Sequence, residues 1–573
     1  MEKRFAVAAL VDAGYKRLGL PGASLVRQHD LARIHLPVVV GRTGRREVNA
    51  GESMMRKRLA LLAMLVLGAV ASAHAAPPAR SFGSKPTVII RTGRLAGTRN
   101  GSVEVFKGIP YAAPPVGPLR WEPPLAPAKW SGVRDADRFG PLCPQLLPAF
   151  AVALMGDTRQ SEDCLYLNVW APANARNAPV MVWIHGGGHK RGFSSPPLHT
   201  GLHFAQDGVI LVAIDYRLGA FGYFAHPALT KEANAKAPLA DYGTMDQIAA
   251  LKWVQRNISA FGGDPKNVTI FGESAGGKSV LALMTIPAAR GLFEKAISES
   301  GGGLGKTPSL ARAEAQGVRI ATSLGLPGAD ATAAQLRAIP ATTLVKATGN
   351  GRYGEIVDGR LMKEGVSEAF ASGRAADVPL LIGSNSFEAS LIRAYPGAVG
   401  GTELRMLLAD PAIKAAYAHE DADQTALRQR LFTDLIMGMP ARWIAARESG
   451  GAPSYLYYFS YVPEWERGKT PGAGHGRELM WVFGTASEGA RATGHHLSAA
   501  GVAFGHLIHS CWVGFARTGA PDCDGATWPA YNAVSDTLME FGVGEDLGPK
   551  AHFRKAQYDA LEGFMLPRVL TSR

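Results

Sequence analysis

Residues 268–279 read VTIFGESAGGKS, an apolar run of strand length that leads directly into a glycine-rich turn. As G-x-S-x-G, the segment Gly272–Gly276 is a nucleophile elbow, a tight turn between a strand and a helix that presents Ser274. As G-x-x-x-x-G-K-[ST], the same stretch is a phosphate loop, with Lys278 for the phosphates and Ser279 for magnesium. Both motifs need a strand before them and a helix after them, so distant residues must decide between the two.

Elsewhere along the chain, strands and helices alternate. Val180–Ile184 and Val209–Ile214 are continuous apolar runs, as expected for strands of a parallel sheet that is covered on both faces. A helix is predicted to open at Thr244, with Gln247 at the spacing of a capping box. This alternation predicts an α/β fold with a mostly parallel central sheet flanked by helices.

An early hairpin is predicted ahead of these elements. Residues 87–91 and 103–106 are short apolar runs, and Asn100-Gly101 lies between them. Because Asn-Gly favours the tight turns of hairpins, we expect the two runs to pair.

Residues 54–75 have the three parts of a secretory signal peptide. Arg56-Lys57-Arg58 precedes an unbroken apolar run over 59–71, and Ala73-His74-Ala75 is an A-x-A cleavage pattern. That run is too short to span a bilayer, which needs about 20 residues. We therefore expect a secreted or periplasmic protein with no stable membrane anchor after cleavage.

Residues 1–53 precede this signal, although a signal peptide should begin a chain. Gly51-Glu52 can be encoded by GGAGAG, a ribosome-binding sequence just before Met54 and Met55. We therefore interpret 1–53 as the product of a start codon assigned too far upstream, and not as part of the fold. The folded protein is then one domain, residues 76–573.

Composition excludes several classes of protein. The chain has 573 residues, 47% of them apolar and 19% charged, which excludes disordered, collagen-like and disulfide-scaffold proteins. Its net charge is +13, but residues 1–75 hold 12 basic and 5 acidic groups, and the remainder has 49 and 43, a net +6. No basic run is interleaved with aromatic residues, so no nucleic-acid partner is expected.

Export would place the four cysteines in an oxidising compartment, where three connectivities are open to them. Cys143 and Cys164 enclose a 20-residue loop, and Cys511 lies near Cys523. We expect each cysteine to pair with its near neighbour. For Cys511, in the apolar stretch HLIHSCWVGFA, a buried free thiol is an equal alternative.

Distant residues favour the elbow over the phosphate loop. Ester hydrolysis by a serine needs donors for the developing oxyanion, a base for the hydroxyl proton and an acid that orients the base. His185–Gly188, HGGG, follows a buried strand, and its backbone N–H groups can supply the donors. A nucleotidase would need an aspartate for magnesium after an apolar strand, which Ile214-Asp215 fits loosely. An exported nucleotidase would have no ATP, so the serine interpretation is preferred.

Ten segments follow one another along 76–573 in the order of a known family. They are GIPYAAPPVGPLRW from Gly108, SEDCLYLNVW from Ser161, VMVWIHGGG from Val180, IDYRLGAFGY from Ile214, AFGGDPKNVTIFGESAGG from Ala260, ISESGG from Ile297, VDGRLM from Val357, LIGSNSFE from Leu381, GAGHGRELMWVFG from Gly472 and WVGFARTGAPD from Trp512. Together they resemble the type B carboxylesterases, which include cholinesterases and bacterial para-nitrobenzyl-type esterases. The resemblance implies an α/β-hydrolase fold, with long inserted loops that form a gorge, and hydrolysis of carboxylic esters through an acyl-enzyme.

The resemblance also implies roles for individual residues. The nucleophile falls on Ser274, the acid on Glu388 and the base on His475, in the chain order of α/β-hydrolases. The other implied residues are Gly187, Gly188 and Ala275 for the oxyanion hole, and Glu273 and Ser300 as supports of the site. Independently of the family, Glu388 follows the apolar run 378–382, so we expect it at the carboxyl end of a strand. A simple turn role for Ser300 stays open.

Two stretches depart from the family pattern. Phe387 and Ala389 flank Glu388, where the family often has Asp and Gly, so the local turn is expected to differ. After HGGG the family usually has an aromatic residue, whereas here HKR follows at 189–191. These side chains either line the substrate site, favouring an anionic or polar acyl group, or point into solvent.

No metal or other cofactor is expected. His185 and His189 have the spacing of zinc ligands on a helix, but the three glycines between them oppose a helix. Lys278 is most simply a helix residue beyond the elbow.

The loop closed by Cys143 and Cys164 is expected to form an apolar lip beside the gorge. Its apolar residues are Leu146, Leu147, Pro148, Phe150, Val152, Leu154 and Met155. It has no Trp, whereas cholinesterases use a tryptophan in this loop to bind quaternary ammonium. We therefore expect a broad esterase for small-molecule, apolar esters. A non-catalytic cholinesterase-like binding module and the phosphate-loop nucleotidase stay open as alternatives, as do the natural substrate and the oligomeric state.

Overall fold

The computed structural model describes residues 85–147, 158–392, 401–420, 423–448 and 451–570. The predicted signal peptide at 54–75 and the stretch 1–53 lie outside the described residues. The described residues from Pro86 onward belong to one compact unit. The boundaries of the predicted domain, 76–573, stay a prediction.

The strands begin soon after residue 85. They are β1 Thr87–Ile90, β2 Gly93–Ala96, β3 Thr98–Asn100, β4 Val103–Pro110, β5 Val133–Asp135, β6 Tyr166–Pro172, β7 Ala178–Ile184, β8 Ile210–Ile214, β9 Gly263–Glu273, β10 Lys295–Glu299, β11 Leu380–Asn385, β12 Ser454–Phe459, β13 Thr537–Phe541 and β14 Leu547–Ala551.

The helices lie mainly between these strands. They are α1 Leu202–Gln206, α2 Gly219–Gly222, α3 Pro227–Glu232, α4 Tyr242–Asn257, α5 Ala275–Thr285, α6 Leu310–Ser323, α7 Ala333–Arg337, α8 Ala341–Thr348, α9 Val366–Ala371, α10 Gly401–Leu408, α11 Pro411–Ala416, α12 Gln424–Thr433, α13 Met439–Glu448, α14 Leu479–Val482, α15 Ala486–Ala492, α16 Ala499–Thr518 and α17 Lys555–Leu570. A 3₁₀ turn spans Glu388–Leu391, and a π-helical turn, Asp434–Gly438, joins α12 to α13.

One large sheet organises the chain, in the order β14-β13-β12-β11-β10-β9-β7-β8-β6-β4-β3. Neighbours from β13 to β8 are parallel, whereas β14 and the β6, β4 and β3 edge are antiparallel. The predicted mostly parallel sheet is therefore confirmed. Because parallel strands end at the same edge, the carboxyl ends of β7, β9, β10 and β11 lie side by side, where open α/β sheets place their sites.

The two faces of this sheet carry two separate apolar cores. On β7, Val182 and Ile184 belong to one core, while Met181 and Trp183 belong to the other, as the alternation of side chains along a strand requires. Residues of α4, α5 and α13 complete the first core, and residues of α1, α14 and α16 complete the second. Burial on both faces explains why the central strands are continuously apolar.

Among the described residues, α16 is the helix long and apolar enough to cross a membrane. Its Trp512 and Phe515 are fully buried in the second core. It is therefore explained as a core helix of the sheet's second face.

Two local predictions are wrong. Strand β1 turns back after Ile90 and pairs with β2, so Asn100-Gly101 joins β3 to β4 instead of joining β1 to β4. Helix α4 begins at Tyr242, two residues before Thr244, whose Oγ1 is buried without a hydrogen-bond partner. The helix start is set by tertiary packing, which here overrides the local capping-box signal.

Candidate active site

Ser274 lies at the turn between β9 and α5, at the carboxyl edge of the sheet. Its φ of 58° and ψ of −122° lie in a region that residues other than glycine rarely adopt, at a cost of about 1–3 kcal/mol. Glycines let the turn pack against β7: a Cβ on Gly276 would lie 2.0 Å from the carbonyl oxygen of Ile184, and one on Gly272 would lie 2.6 Å from the same atom. The backbone has the strand–turn–helix form that a nucleophile elbow requires.

The residues of the phosphate-loop interpretation are engaged elsewhere. Ser279 is fully buried, and its Oγ bonds Nε2 of His189 at 2.9 Å. The carboxylate of Asp215 accepts hydrogen bonds from the backbone N–H and the hydroxyl of Ser194, each at 2.7 Å. The structure therefore gives no support to a phosphate and magnesium site at this turn.

The glycine loop, His185–Gly188, follows β7 and lies against the elbow. A Cβ on Gly186 would be 3.1 Å from Cβ of Ser274, and Gly187 and Gly188 have φ values of +107° and +66° that suit glycine. Among the described residues, no acceptor is hydrogen-bonded to the backbone N–H groups of Gly187, Gly188 or Ala275. These three donors are therefore free for a ligand beside Ser274.

Two residues, Tyr216 and Gln145, hold the glycine loop and the segment that follows it in place. Oη of Tyr216 donates to the carbonyl oxygen of His185 at 2.6 Å, and the two rings stack 4.5 Å apart. Gln145 bonds both the backbone N–H and the carbonyl of Gly192, at 2.9 Å each. Burial lowers the pKa of His185 to about 4, so this ring is neutral at physiological pH.

Glu388, after β11, and His475, in the loop between β12 and α14, form a hydrogen-bonded pair. Glu388 follows β11 at the start of the 3₁₀ turn and is fully buried. Its Oε2 accepts from Nδ1 of His475 at 2.5 Å, and its Oε1 accepts from Oγ of Ser300 at 2.5 Å and from the N–H of Asn385 at 2.8 Å. Ser300 thus contacts the carboxylate directly, as a residue that supports the site would.

The other ring nitrogen of His475 faces a second carboxylate. Nε2 lies 2.9 Å from Oε1 of Glu273, although the angles are not those of a hydrogen bond. Burial lowers the pKa of His475, but the charges of Glu273 and Glu388 outweigh it, and the pKa is raised well above its ordinary value. Oγ of Ser274 has no hydrogen bond among the described residues, so its contact with His475 is not formed here.

Two more buried glutamates surround the pair, and the sequence reasoning missed both. Oε1 of Glu299 accepts from Nε1 of Trp512 at 2.6 Å, and burial raises the pKa of Glu299 well above its ordinary value. Burial and a neighbouring carboxylate raise the pKa of Glu478 to about 8. The sequence signal that could have found them was their position in the chain. Glu299 directly precedes Ser300, and Glu478 lies three residues after His475.

The side chains after the glycine loop do not all behave as predicted. His189 is 1% exposed; its Nε2 bonds Oγ of Ser279 at 2.9 Å and lies 3.5 Å from Oε1 of Glu355. It therefore neither lines a substrate wall nor points into solvent, because buried polar partners are available beneath the loop. Lys190 is half-buried and Arg191 is exposed, so the solvent interpretation holds for Arg191.

Both predicted disulfides are present, Cys143–Cys164 and Cys511–Cys523. The alternative of a free thiol at Cys511 is therefore wrong. Of the predicted apolar lip, Leu146 and Leu147 are described, and residues 148–157 lie outside the described residues.

The two histidines with zinc spacing face different partners. His185 stacks on Tyr216, whereas His189 packs against Tyr223 with ring centroids 4.9 Å apart. Among the described residues there is no group of three or more side chains arranged to hold a metal ion.

Comparison with known proteins identifies the family of the chain. The model of the carboxylesterase family matches residues 84–560. The para-nitrobenzyl esterase of Bacillus subtilis (strain 168) is 38% identical over 474 residues, covering 79% of this chain and 94% of that protein. The cocaine esterase of Homo sapiens is 32% identical over 519 residues, covering 82% and 90%.

Solved structures point the same way. A PNB esterase matches with a TM-score of 0.73 at 34% identity, covering 83% of this chain and 99% of that one. A carboxylesterase of Geobacillus stearothermophilus matches with a TM-score of 0.72 at 33% identity, with the same coverage. By family model, relatives and α/β-hydrolase fold, the chain belongs to the carboxylesterase family, whose members hydrolyse carboxylic esters.

Proposed function

We propose that the protein hydrolyses esters through an acyl-enzyme on Ser274, with His475 as general base and acid and Glu388 as the residue that orients His475. His475 takes the proton of the Ser274 hydroxyl as that oxygen attacks the ester carbonyl, and then gives the proton to the departing alcohol. Water, activated by the same ring, cleaves the acyl-enzyme and regenerates Ser274.

The observation that carries this proposal is the position of His475. Its Nδ1 is held by buried Glu388. Its Nε2 faces the elbow, where it lies against Glu273, the residue next to Ser274. The free N–H groups of Gly187, Gly188 and Ala275 complete the set, since a tetrahedral oxyanion needs such donors. The loss of one donor of this kind typically costs about 3–4 kcal/mol of transition-state stabilisation.

In the reacting complex, Nε2 must turn from Glu273 to Oγ of Ser274. These two residues are adjacent in the chain, so the ring has a short path between them. Catalytic hydrogen bonds are often formed only once substrate is bound. Glu273 would then act as the alternative partner that holds the protonated ring between turnovers.

For the substrate we propose small-molecule esters with an apolar alcohol group. Leu146 and Leu147 follow Cys143, and Gln145 bonds Gly192 beside the glycine loop. An apolar segment at that position suits an apolar leaving group better than a charged one.

We also propose that the protein is secreted or periplasmic and carries no membrane anchor after cleavage of 54–75. The two disulfides support an oxidising compartment. N-terminal sequencing of the protein from its native source should find a mature chain that begins at residue 76. An intact N-terminus upstream of Met54 would overturn both the signal and the start-codon interpretations.

Hydrolysis of p-nitrophenyl butyrate and of ATP tests the chemistry. We expect ester turnover without ATP turnover, and Ser274→Ala should lower kcat by at least about a thousandfold. Ser323→Ala is the matched control, because among the described residues its hydroxyl bonds only the carbonyl oxygen of Ile320, in its own helix. An organophosphate should label Ser274 alone. Ester turnover that persists in Ser274→Ala would rule the proposal out, and binding without turnover would favour the non-catalytic alternative.

A further inference from the structure

A cavity of about 470 Å³ lies beside the elbow. It is bounded by Lys278 of α5, by the segment Gly301–Thr307 that follows Ser300, and by the turn Asp434–Gly438. Its walls are mainly apolar, with Leu304, Met437 and Phe564 among the lining residues. The volume lies within the range of small-molecule sites.

The cavity is close to Ser274. The backbone N–H of Lys278 donates to the carbonyl oxygen of Ser274 at 2.9 Å, so the two residues are one helical turn apart, about 6 Å along the axis. Helical side chains lean toward the N-terminus of their helix, which directs Lys278 to the Ser274 end of α5. Gly301 adjoins Ser300, whose hydroxyl bonds Glu388. At this spacing, an acyl chain of a few carbons held at Ser274 is long enough to span the distance to the cavity.

The lining of the cavity favours the acyl group of an ester over its alcohol as the occupant. In the proposed reaction the leaving alcohol must sit at Nε2 of His475, which protonates it. No residue of the loop that carries His475, 472–478, is among the described residues lining the cavity. The acyl chain, on the other side of the carbonyl, is the part of the substrate that enters it.

The charges at the cavity are of one sign. Lys278 and Lys306 line it, and no acidic residue does so within the described parts of the chain. Lys306 is exposed and makes no ion pair with any described residue. Lys278 is 40% exposed and gives one contact to Glu355, so its ammonium keeps donors for a ligand.

A buried network holds Lys278 in this position. Glu355 is fully buried, 3.1 Å from Nζ of Lys278 and 3.5 Å from Nε2 of His189. Burial raises the pKa of Glu355, but the charges of Lys278 and His189 outweigh it, and the pKa is lowered from its ordinary value. A buried carboxylate requires a paired cation, so the ammonium of Lys278 stays beside Glu355, and Lys278 is held among the residues that line the cavity.

We propose that this cavity selects acyl chains that end in a carboxylate, so that preferred substrates are monoesters of dicarboxylic acids. The apolar walls accommodate the methylenes, and Lys278 and Lys306 bind the terminal carboxylate. This inference rests on the proposed ester hydrolysis and adds its acyl specificity.

Paired substrates test the selectivity: mono-p-nitrophenyl adipate and p-nitrophenyl hexanoate have the same chain length and leaving group. For the wild-type protein, kcat/KM should be higher for the adipate, and the preference should shrink at ~0.5 M salt because screening weakens the attraction. Lys306→Met should lower the adipate-to-hexanoate ratio about twofold to fivefold, the range of an exposed ion pair. Lys278→Met combined with Glu355→Gln should lower it similarly without leaving a buried charge unpaired.

Lys252→Met, at an exposed lysine on α4 outside the cavity, is the matched control and should leave the ratio unchanged. Hydrolysis of the hexanoate with no preference for the adipate, or a preference that survives both lysine variants, would overturn the inference while sparing the proposed function. Failure to hydrolyse either ester would overturn both the inference and the proposed function.

Discussion

Nε2 of His475 lies 2.9 Å from Oε1 of Glu273, the residue directly before Ser274. Since Glu388 holds the other ring nitrogen, His475 is placed between two carboxylates. This arrangement stabilises the imidazolium form and raises the pKa of His475 well above its ordinary value. It therefore determines how activity should depend on pH.

We expect the acidic limb of the kcat/KM profile to lie well above pH 6.5. A general base must be neutral, and His475 is protonated below its raised pKa, so activity is lost as pH falls through that value. Glu273→Gln removes one of the two charges and should move the limb to lower pH. A profile measured with p-nitrophenyl butyrate checks this, and an unchanged limb in Glu273→Gln would contradict it.

Glu388→Gln should lower kcat about 10³- to 10⁴-fold, because an amide no longer stabilises the imidazolium and disturbs its tautomer. Ser300→Ala should act in the same direction but more weakly, about tenfold in kcat with little change in KM, since it removes one hydrogen bond to the carboxylate. Steady-state kinetics of both variants checks that Glu388→Gln lowers kcat more than Ser300→Ala does, with Ser323→Ala as the control. A Ser300→Ala enzyme with wild-type kcat would return Ser300 to a simple turn role.

Gly276→Ala should destabilise the fold by about 3 kcal/mol, since the added Cβ would lie 2.0 Å from the carbonyl oxygen of Ile184. Gly563→Ala is the matched control: it lies exposed in α17, where an added Cβ has no atom within 4 Å. Helix propensity predicts that this change stabilises the protein by about 1 kcal/mol. Urea unfolding of the two variants should give changes of opposite sign in the free energy of unfolding. Equal changes would contradict the close packing of Gly276 against Ile184.

The two disulfides should differ in their effect on activity. Each closes a short loop, and replacing either pair with alanines should lower the free energy of unfolding by about 3 kcal/mol. Cys143 lies two residues from Gln145, which bonds Gly192 beside the glycine loop, so loss of Cys143–Cys164 should also lower kcat/KM. Loss of Cys511–Cys523 should leave kcat/KM unchanged at 25 °C. Equal kinetic effects of the two double variants would contradict this distinction.

The fold was largely predictable because its signals are strong and local. Strands covered on both faces must be apolar throughout, so Val180–Ile184 was recognisable as a central strand. The tight turn at Ser274 needs glycine at Gly272 and Gly276, which leaves a pattern in the sequence. Glu388 was placed at a strand end by the apolar run before it. These constraints act on neighbouring residues and can be read without the tertiary structure.

Features decided by long-range contacts were not predictable. Helix α4 begins at Tyr242, and Asp241 before it accepts a hydrogen bond from the N–H of Ile356, over a hundred residues away. His189 is buried because Glu355 and Ser279 lie beneath the glycine loop. No local pattern marks such partners, since each becomes a neighbour only when the sheet assembles.

The strained backbone at Ser274 has a consequence for protein engineering. A glycine at this position would relieve about 1–3 kcal/mol of conformational strain, so the proposed nucleophile is also a site where the sequence sacrifices stability. Screens that reward only heat resistance would therefore favour variants that lose the hydroxyl. Variant libraries designed for stability should leave the elbow residues unchanged and place stabilising substitutions at unstrained, exposed positions such as Gly563.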